Sequence, residues 1–141
     1  MDKKIRVVQY GLGPIGKKIT QYLAEKDNLQ IVGAIDSDPK KHGLDIGELA
    51  GLNVHHNICI TNNPKSLLST VDADIVVLTT TSSLENIKSQ IIEIVSFGIN
   101  IVSTCEELSH PWLTNPEIAD EIDVAAKMND VSVLLFSFES L

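Results

Sequence analysis

Three glycines near the start of the chain have the spacing that dinucleotide binding requires. Gly11, Gly13 and Gly16 follow the apolar, β-branched segment Ile5–Tyr10 in the pattern G-x-G-x-x-G. In this pattern the first glycine permits a sharp turn, the second lets a diphosphate approach the backbone, and the third lets a helix pack closely on a sheet. The predicted diphosphate site comprises this turn and the first helical residues: Gly11, Leu12, Gly13, Pro14, Ile15 and Gly16.

An acidic residue stands where the ribose of such a dinucleotide would lie. Asp36 ends the apolar segment Leu29–Ile35, twenty positions after the last of these glycines. A carboxylate there accepts hydrogen bonds from ribose hydroxyls and repels a 2′-phosphate, so NAD is favoured over NADP. Ser37 is included in the predicted site. Asp36 could instead be a turn former, and Lys40 or Lys41 could neutralise a 2′-phosphate.

Small polar residues follow two further apolar segments. One group comes directly after residues 74–78 and the other ends and follows residues 100–103. Because ligands bind beyond the carboxyl ends of the strands in a doubly wound sheet, both groups are expected to line the cofactor cleft. The predicted cleft residues are Thr79, Thr80, Thr81, Ser103, Thr104 and Cys105.

Other roles remain open near these segments. Ser82 and Glu85 have the spacing of a capping box for the next helix. Cys105 could be a nucleophile, but no base is identifiable beside it, so a small packed thiol is favoured. Glu106 and His110 could do acid–base work or lie in solvent. No catalytic residue is assigned.

Strands and helices alternate along the whole chain. Strands are predicted at 5–10, 29–35, 58–60, 74–78, 100–103 and 131–136, and helices at 14–26, from 64, at 84–97 and from 116. This order predicts a single α/β domain over residues 1–141: a doubly wound, mainly parallel sheet of about six strands, the Rossmann fold. The first helix is expected to bury Ile15, Ile19, Tyr22 and Leu23. Gly98 is expected to end the helix before it in a left-handed conformation.

Composition narrows the classes of protein and partner. The 141 residues include 11 basic and 19 acidic side chains, a formal charge of −8, which disfavours nucleic acid and anionic membranes as partners. Strand residues begin almost at once, so no signal peptide is predicted. Cys59 and Cys105 provide no disulfide framework, and a cytoplasmic location is expected. His42, His55 and His56 have no zinc-type spacing, so no metal site is predicted.

Four short motifs resemble one enzyme family over most of the chain. They are VVQYGLGPIG at 7–16, IDSDP at 35–39, STCEEL at 103–108 and PWL at 111–113. Together they resemble the amino-terminal half of the 2,4-diaminopentanoate dehydrogenase family, which is similar to dihydrodipicolinate reductases. The resemblance implies NAD(P)-linked oxidation of an amine carbon on a diamino acid. It implies cofactor contacts at the glycine turn, at Asp36 and after the fourth and fifth strands.

The end of the sequence departs from that family. Family members continue into a glycine-rich turn and a second, substrate-binding and oligomerising domain, whereas residues 135–141 here read LFSFESL. We therefore expect a dinucleotide-binding domain without its substrate domain. An alternative is a nucleotide-sensing or protein-interaction module without catalysis. The apolar tail residues Phe136, Phe138 and Leu141 could then join copies of the chain into a homo-oligomer.

Overall fold

The computed structural model describes residues 3–52, 57–80, 84–104 and 116–135. Within these ranges the strands are β1 (Ile5–Tyr10), β2 (Leu29–Ile35), β3 (Ile60–Thr61), β4 (Ile75–Leu78), β5 (Asn100–Ser103) and β6 (Val133–Leu135). The helices are α1 (Pro14–Ala24), α2 (Ile46–Leu49), α3 (Pro64–Thr70), α4 (Leu84–Ser96) and α5 (Pro116–Met128). Strand and helix alternate as predicted.

The six strands form one parallel sheet in the order β3-β2-β1-β4-β5-β6. The direction in which successive strands are added reverses between β1 and β4. The carboxyl ends of β1 and β4 therefore lie side by side at the switch point, where open α/β sheets bind ligands. The predicted doubly wound Rossmann fold is confirmed.

The boundaries of several elements differ from those predicted. β3 begins at Ile60 instead of residue 58, because Cys59 forms an isolated antiparallel bridge with Asp45. The same Asp45 caps α2: its carboxylate accepts hydrogen bonds from the amides of Gly47 (2.9 Å) and Glu48 (3.3 Å). This side-chain cap explains why a short helix forms inside the glycine-containing segment of residues 41–51.

One face of the sheet is packed against α3, α4 and α5. The α4 side chains Ile87, Ile91 and Ile94 are fully buried, and they belong to one cluster with side chains from four strands and both neighbouring helices. Gly98, just after α4, has φ of +73°, the predicted left-handed end of that helix. This face holds the larger hydrophobic core.

The opposite face is packed against α1 and α2. Ile19 of α1 is buried in a small cluster with Val7 and Val77. The predicted burial of Ile15 and Tyr22 is wrong, since they are 42% and 52% exposed. The buried residues of α1 are Gly16, Ile19 and Thr20, which form a narrow stripe, and Ile15 and Tyr22 lie outside it.

An apolar groove of about 470 Å³ runs beside α1 on this face. Its lining includes Ile5, Tyr22, Ile75, Val102 and Thr104, so it extends from β1 across β4 to β5. Leu134, on the edge strand β6, is 58% exposed. No helix in the described part of the chain combines the length and apolar character needed to cross a membrane.

Candidate functional site

The turn after β1 is built around two glycines that other residues could not replace. Gly11 has φ of +106°, and a Cβ there would lie 2.8 Å from the carbonyl carbon of Thr79. A Cβ on Gly16 would overlap the carbonyl group of Gly11, lying 2.8 Å from its carbon. Such distances are far inside van der Waals contact, so α1 packs directly on the turn only because both side chains are absent.

Gly13 is different, because the space beside it is open. Apart from Gly13 and its two chain neighbours, no atom of the described residues lies within 4 Å of the position that its Cβ would occupy, and its φ of −73° is available to any residue. Gly13 is the N-cap of α1 and Pro14 follows it, so the N-cap residue has no side chain to accept a hydrogen bond from the helix start. At this position nothing in the described part of the chain keeps an anion from the backbone at the positive end of the α1 dipole.

Asp36 lies at the edge of the same turn. It is only 9% exposed, and its carboxylate accepts hydrogen bonds from the amides of Leu12 (2.7 Å) and Asp38 (2.9 Å). The ammonium of Lys41 lies 3.6 Å from the same carboxylate and donates to the Leu12 carbonyl at 2.9 Å. Asp36 is thus fixed by the turn and charge-compensated by Lys41.

Leu12 contacts Asp36 and Lys41 through its backbone, not through its side chain. Its side chain is fully buried in a second core cluster with Ile31, Ala34 and Ile46. The amide and carbonyl of Leu12 meet Asp36 and Lys41 respectively. The part of Leu12 that reaches the site is therefore its peptide group.

Thr79 joins the end of β4 to the glycine turn. Its amide donates to the carbonyl of Tyr10 (2.8 Å) and its hydroxyl to the carbonyl of Gly11 (2.9 Å). Gln9, a fully buried residue of β1, donates its side-chain amide to Gly11 O and to the Thr79 hydroxyl. Gln9 was not among the residues predicted for the site, although a lone side-chain amide within a mostly apolar strand is a visible signal.

The other predicted polar residues lie at different depths. Ser37 and Thr80 are exposed, and the Thr80 hydroxyl donates to Gln90 of α4 at 2.6 Å. Ser103 is fully buried, and its hydroxyl donates to the Leu78 carbonyl at 3.0 Å. Thr104 is half-buried and lines the apolar groove. Of these four residues, Ser37 and Thr80 are the most accessible from solvent.

Several predictions fall outside the described residues: those for Thr81, Ser82, His55, His56, Cys105, Glu106, His110 and the tail residues Phe136, Phe138 and Leu141. His42 is exposed, and its Nδ1 accepts a hydrogen bond from the amide of Asn62 at 3.2 Å. Within the described ranges no three His, Cys, Asp or Glu side chains lie close enough together to hold a metal ion.

Residues 5–109 match the model of one protein family, described as dihydrodipicolinate reductase, N-terminus. The chain belongs to this family. The chain is 30% identical to a 2,4-diaminopentanoate dehydrogenase of Acetoanaerobium sticklandii over 94% of its own length. It is 29% identical to a 4-hydroxy-tetrahydrodipicolinate reductase of Nostoc punctiforme, again over 94% of the chain. The resemblance stated from the sequence motifs is confirmed.

A solved structure shows the same fold in a related protein. The amine dehydrogenase from Mycobacterium smegmatis matches with a TM-score of 0.87 and 33% identity over 92% of this chain. The chain spans 38% of that protein, and 37% and 47% of the two relatives above. It corresponds to the amino-terminal, NAD(P)-binding Rossmann domain of oxidoreductases in this family.

Proposed function

We propose that this chain binds the dinucleotide of an NAD(P)-linked oxidoreductase that transfers hydride on an amino-acid substrate. The turn of residues 11–16 would hold the diphosphate, and Asp36 would contact the adjoining ribose. Residues 79–81 and 103–105, which end or follow β4 and β5 in the sequence, would supply the remaining cofactor contacts, and Ser37 would lie beside the ribose. Ser103, being buried, would contribute through its backbone.

The open position at Gly13 carries this proposal. Gly11 and Gly16 are packed against other atoms, and their lack of a side chain is explained by the fold alone. Gly13 has ordinary backbone angles, and no other described residue comes within 4 Å of its Cβ position, so the described part of the fold gives no reason for a glycine there. A bound diphosphate does, because a Cβ at the start of α1 would occupy the space that phosphate oxygens need.

The charges around Asp36 support a preference for NAD. Asp36 and its bonds to the Leu12 and Asp38 amides place a carboxylate beside the turn, where it would repel a 2′-phosphate. Lys41 compensates part of that charge, but its ammonium is already bonded to the Leu12 carbonyl. NADPH is therefore expected to bind more weakly than NADH.

The chain's own residues bind and orient the cofactor. When bound, the nicotinamide supplies or accepts the hydride, and the protein contributes position and electrostatics. The names of the relatives suggest an amine or imine carbon on a small amino acid as the reacting centre. The catalytic residue and the substrate pocket are expected in the part of such enzymes that lies beyond the length matched here.

Isothermal titration calorimetry of the chain with NADH and with NADPH tests the proposal. Measurable binding of NADH, with modest affinity and tighter than NADPH, is expected. Gly13→Ala should abolish it while leaving the free energy of unfolding within about 1 kcal/mol of wild type, since the backbone angles suit alanine. Binding of NADH by the variant as tightly as by wild type would contradict the diphosphate site.

Gly98→Ala is the matched control for that variant. Gly98 also has open space around its Cβ position, but its φ of +73° strains any side chain. The variant should lose about 1 kcal/mol of stability and keep its NADH affinity. The two substitutions thus separate loss of binding from loss of folding.

The same preparation provides a test of catalysis. We expect little or no reduction of NAD by the 141-residue polypeptide in the presence of 2,4-diaminopentanoate, because it matches only 37% of the dehydrogenase that carries that name. Absorbance at the NADH band measures the outcome. Steady turnover by the purified chain would show that the matched part contains a complete active site.

A further inference from the structure

We propose that Gln9 is a positioning residue that holds the glycine turn in the shape needed to receive a diphosphate. This inference rests on the proposed cofactor site and concerns a residue beneath it. Gln9 is fully buried on β1, and it shares the α1 side of the sheet with Val7, two residues earlier, which packs with Ile19 of α1. It lies beneath the turn and has no exposed surface with which to contact a ligand.

The side-chain amide of Gln9 reaches both halves of the site. Nε2 donates to the carbonyl of Gly11 at 3.0 Å and to the hydroxyl of Thr79 at 3.1 Å. A carbonyl can only accept hydrogen bonds, so the Gly11 carbonyl requires the NH₂ end of the Gln9 amide to face the turn. Gln9 therefore links the residue that opens the turn to the residue that follows β4, across the switch point of the sheet.

The fold does not need Gln9 to provide the Gly11 carbonyl with a hydrogen-bond donor. The Gly11 carbonyl also receives the hydroxyl of Thr79 at 2.9 Å, so it would keep a donor without Gln9. The other atom of the amide, Oε1, is buried and has no hydrogen-bond partner among the described residues. Burying an acceptor in this way costs stability, so an apolar residue of equal length should be tolerated.

The gain from Gln9 is therefore geometric. The Gly11 carbonyl is the group against which Gly16 packs, and it determines how closely α1 approaches the turn. A second donor on that carbonyl limits its rotation. The backbone at Gly13 is thereby held in the conformation that leaves room for a phosphate. Because pre-formed sites bind ligands without first having to order themselves, the extra donor raises affinity without raising stability.

Gln9→Met tests the inference, since methionine has the same length and no amide. The substitution removes both hydrogen bonds of the amide, and we expect NADH affinity to fall about tenfold, which corresponds to the net contribution of roughly one hydrogen bond. The melting temperature of the ligand-free protein should be unchanged or higher. Thr20→Val is the control: it removes another fully buried polar group, whose hydroxyl bonds to Gly16 O within α1. The control should leave NADH affinity within about twofold.

Amide hydrogen exchange gives a readout that does not depend on the cofactor. The Gly11 amide donates to Ile35 O at 2.8 Å, and in Gln9→Met it should exchange faster, by about tenfold. The Ile101 amide, bonded to Ser132 O near the β6 edge of the sheet, should exchange at its wild-type rate.

The possible outcomes separate the two proposals. Failure of the wild-type chain to bind NADH would refute the cofactor site, and Gly11 exchange would still decide the role of Gln9. A Gln9→Met protein that melts earlier but keeps its NADH affinity and Gly11 exchange rate would overturn the inference and make Gln9 an ordinary core residue. An equal loss of affinity in Thr20→Val would overturn it as well.

Discussion

The two faces of the sheet differ in how they are filled. On the face of α3, α4 and α5, one cluster joins Val8 and Tyr10 of β1 to Ile101 of β5, with α4 side chains between them. On the face of α1 and α2 the buried side chains divide into two smaller clusters, and the groove of about 470 Å³ lies beside them. We call the first face the packed face, because it holds the larger core. The second face holds the glycine turn and the groove.

This difference shows how the chain separates stability from binding. Buried strands of parallel sheets are ordinarily packed on both faces, so the face that the described residues fill less completely is expected to contribute less hydrophobic free energy. The turn on that face is instead fixed by hydrogen bonds and close backbone contact, through Gln9, Thr79 and Gly16. Substitutions on the first face should therefore cost more unfolding free energy than substitutions beside the groove.

The largest effect is expected from truncation in the packed face. Ile91→Ala removes a fully buried α4 side chain, and the free energy of unfolding should fall by about 2–5 kcal/mol. Val102→Ala, in the groove, should cost about 1 kcal/mol, because part of its side chain is already exposed. Urea unfolding measures both. Equal losses would remove the distinction between the faces.

A smaller effect, dependent on pH, is expected at Tyr10 in the packed face. Burial raises the pKa of Tyr10 above its ordinary value of 10.0, and the charge of Glu93 raises it further, whereas a hydrogen bond with Gln90 lowers it. Above pH 10 a tyrosine in the unfolded chain ionises while folded Tyr10 stays protonated. Stability should therefore fall as pH rises from 10 towards the raised pKa.

Tyr10→Phe removes this titration, so its unfolding free energy should decline less steeply with pH above 10 than that of wild type. Urea unfolding at pH 8 and at a series of pH values above 10 gives the two slopes. Identical slopes in the two proteins would show that the Tyr10 hydroxyl is not held in its neutral form by the packed face.

The smallest effect is expected on the edge strand. Leu134 is 58% exposed on β6, and Leu134→Ser should change the unfolding free energy by no more than about 0.5 kcal/mol. Its neighbour Val133 packs against the larger cluster, so Val133→Ala should cost about 1 kcal/mol. A greater loss in Leu134→Ser than in Val133→Ala would show that the exposed face of β6 is covered in solution.

Much of the fold could be predicted from local sequence patterns. The β-branched strand before Gly11, the helix start at residue 64 and the left-handed Gly98 each depend on a few neighbouring residues, and each is found as predicted. The exposure of Ile15 and Tyr22 could not be predicted, because the spacing of apolar residues does not show how much of the α1 surface the sheet covers. β3 began later than predicted, because Asp45, distant in sequence, pairs with Cys59.

The sequence by itself determined the family, the order of strands and helices, and the glycine turn with its acidic partner, because these follow from residue type and spacing within short segments. Only the tertiary structure decided that Asp36 bonds to the Leu12 amide, that Ser103 is buried, and that Gln9 lies beneath the turn. Each of these depends on the depth and direction of a side chain between segments distant in sequence. Local patterns carry no information about such distances, and packing fixes them.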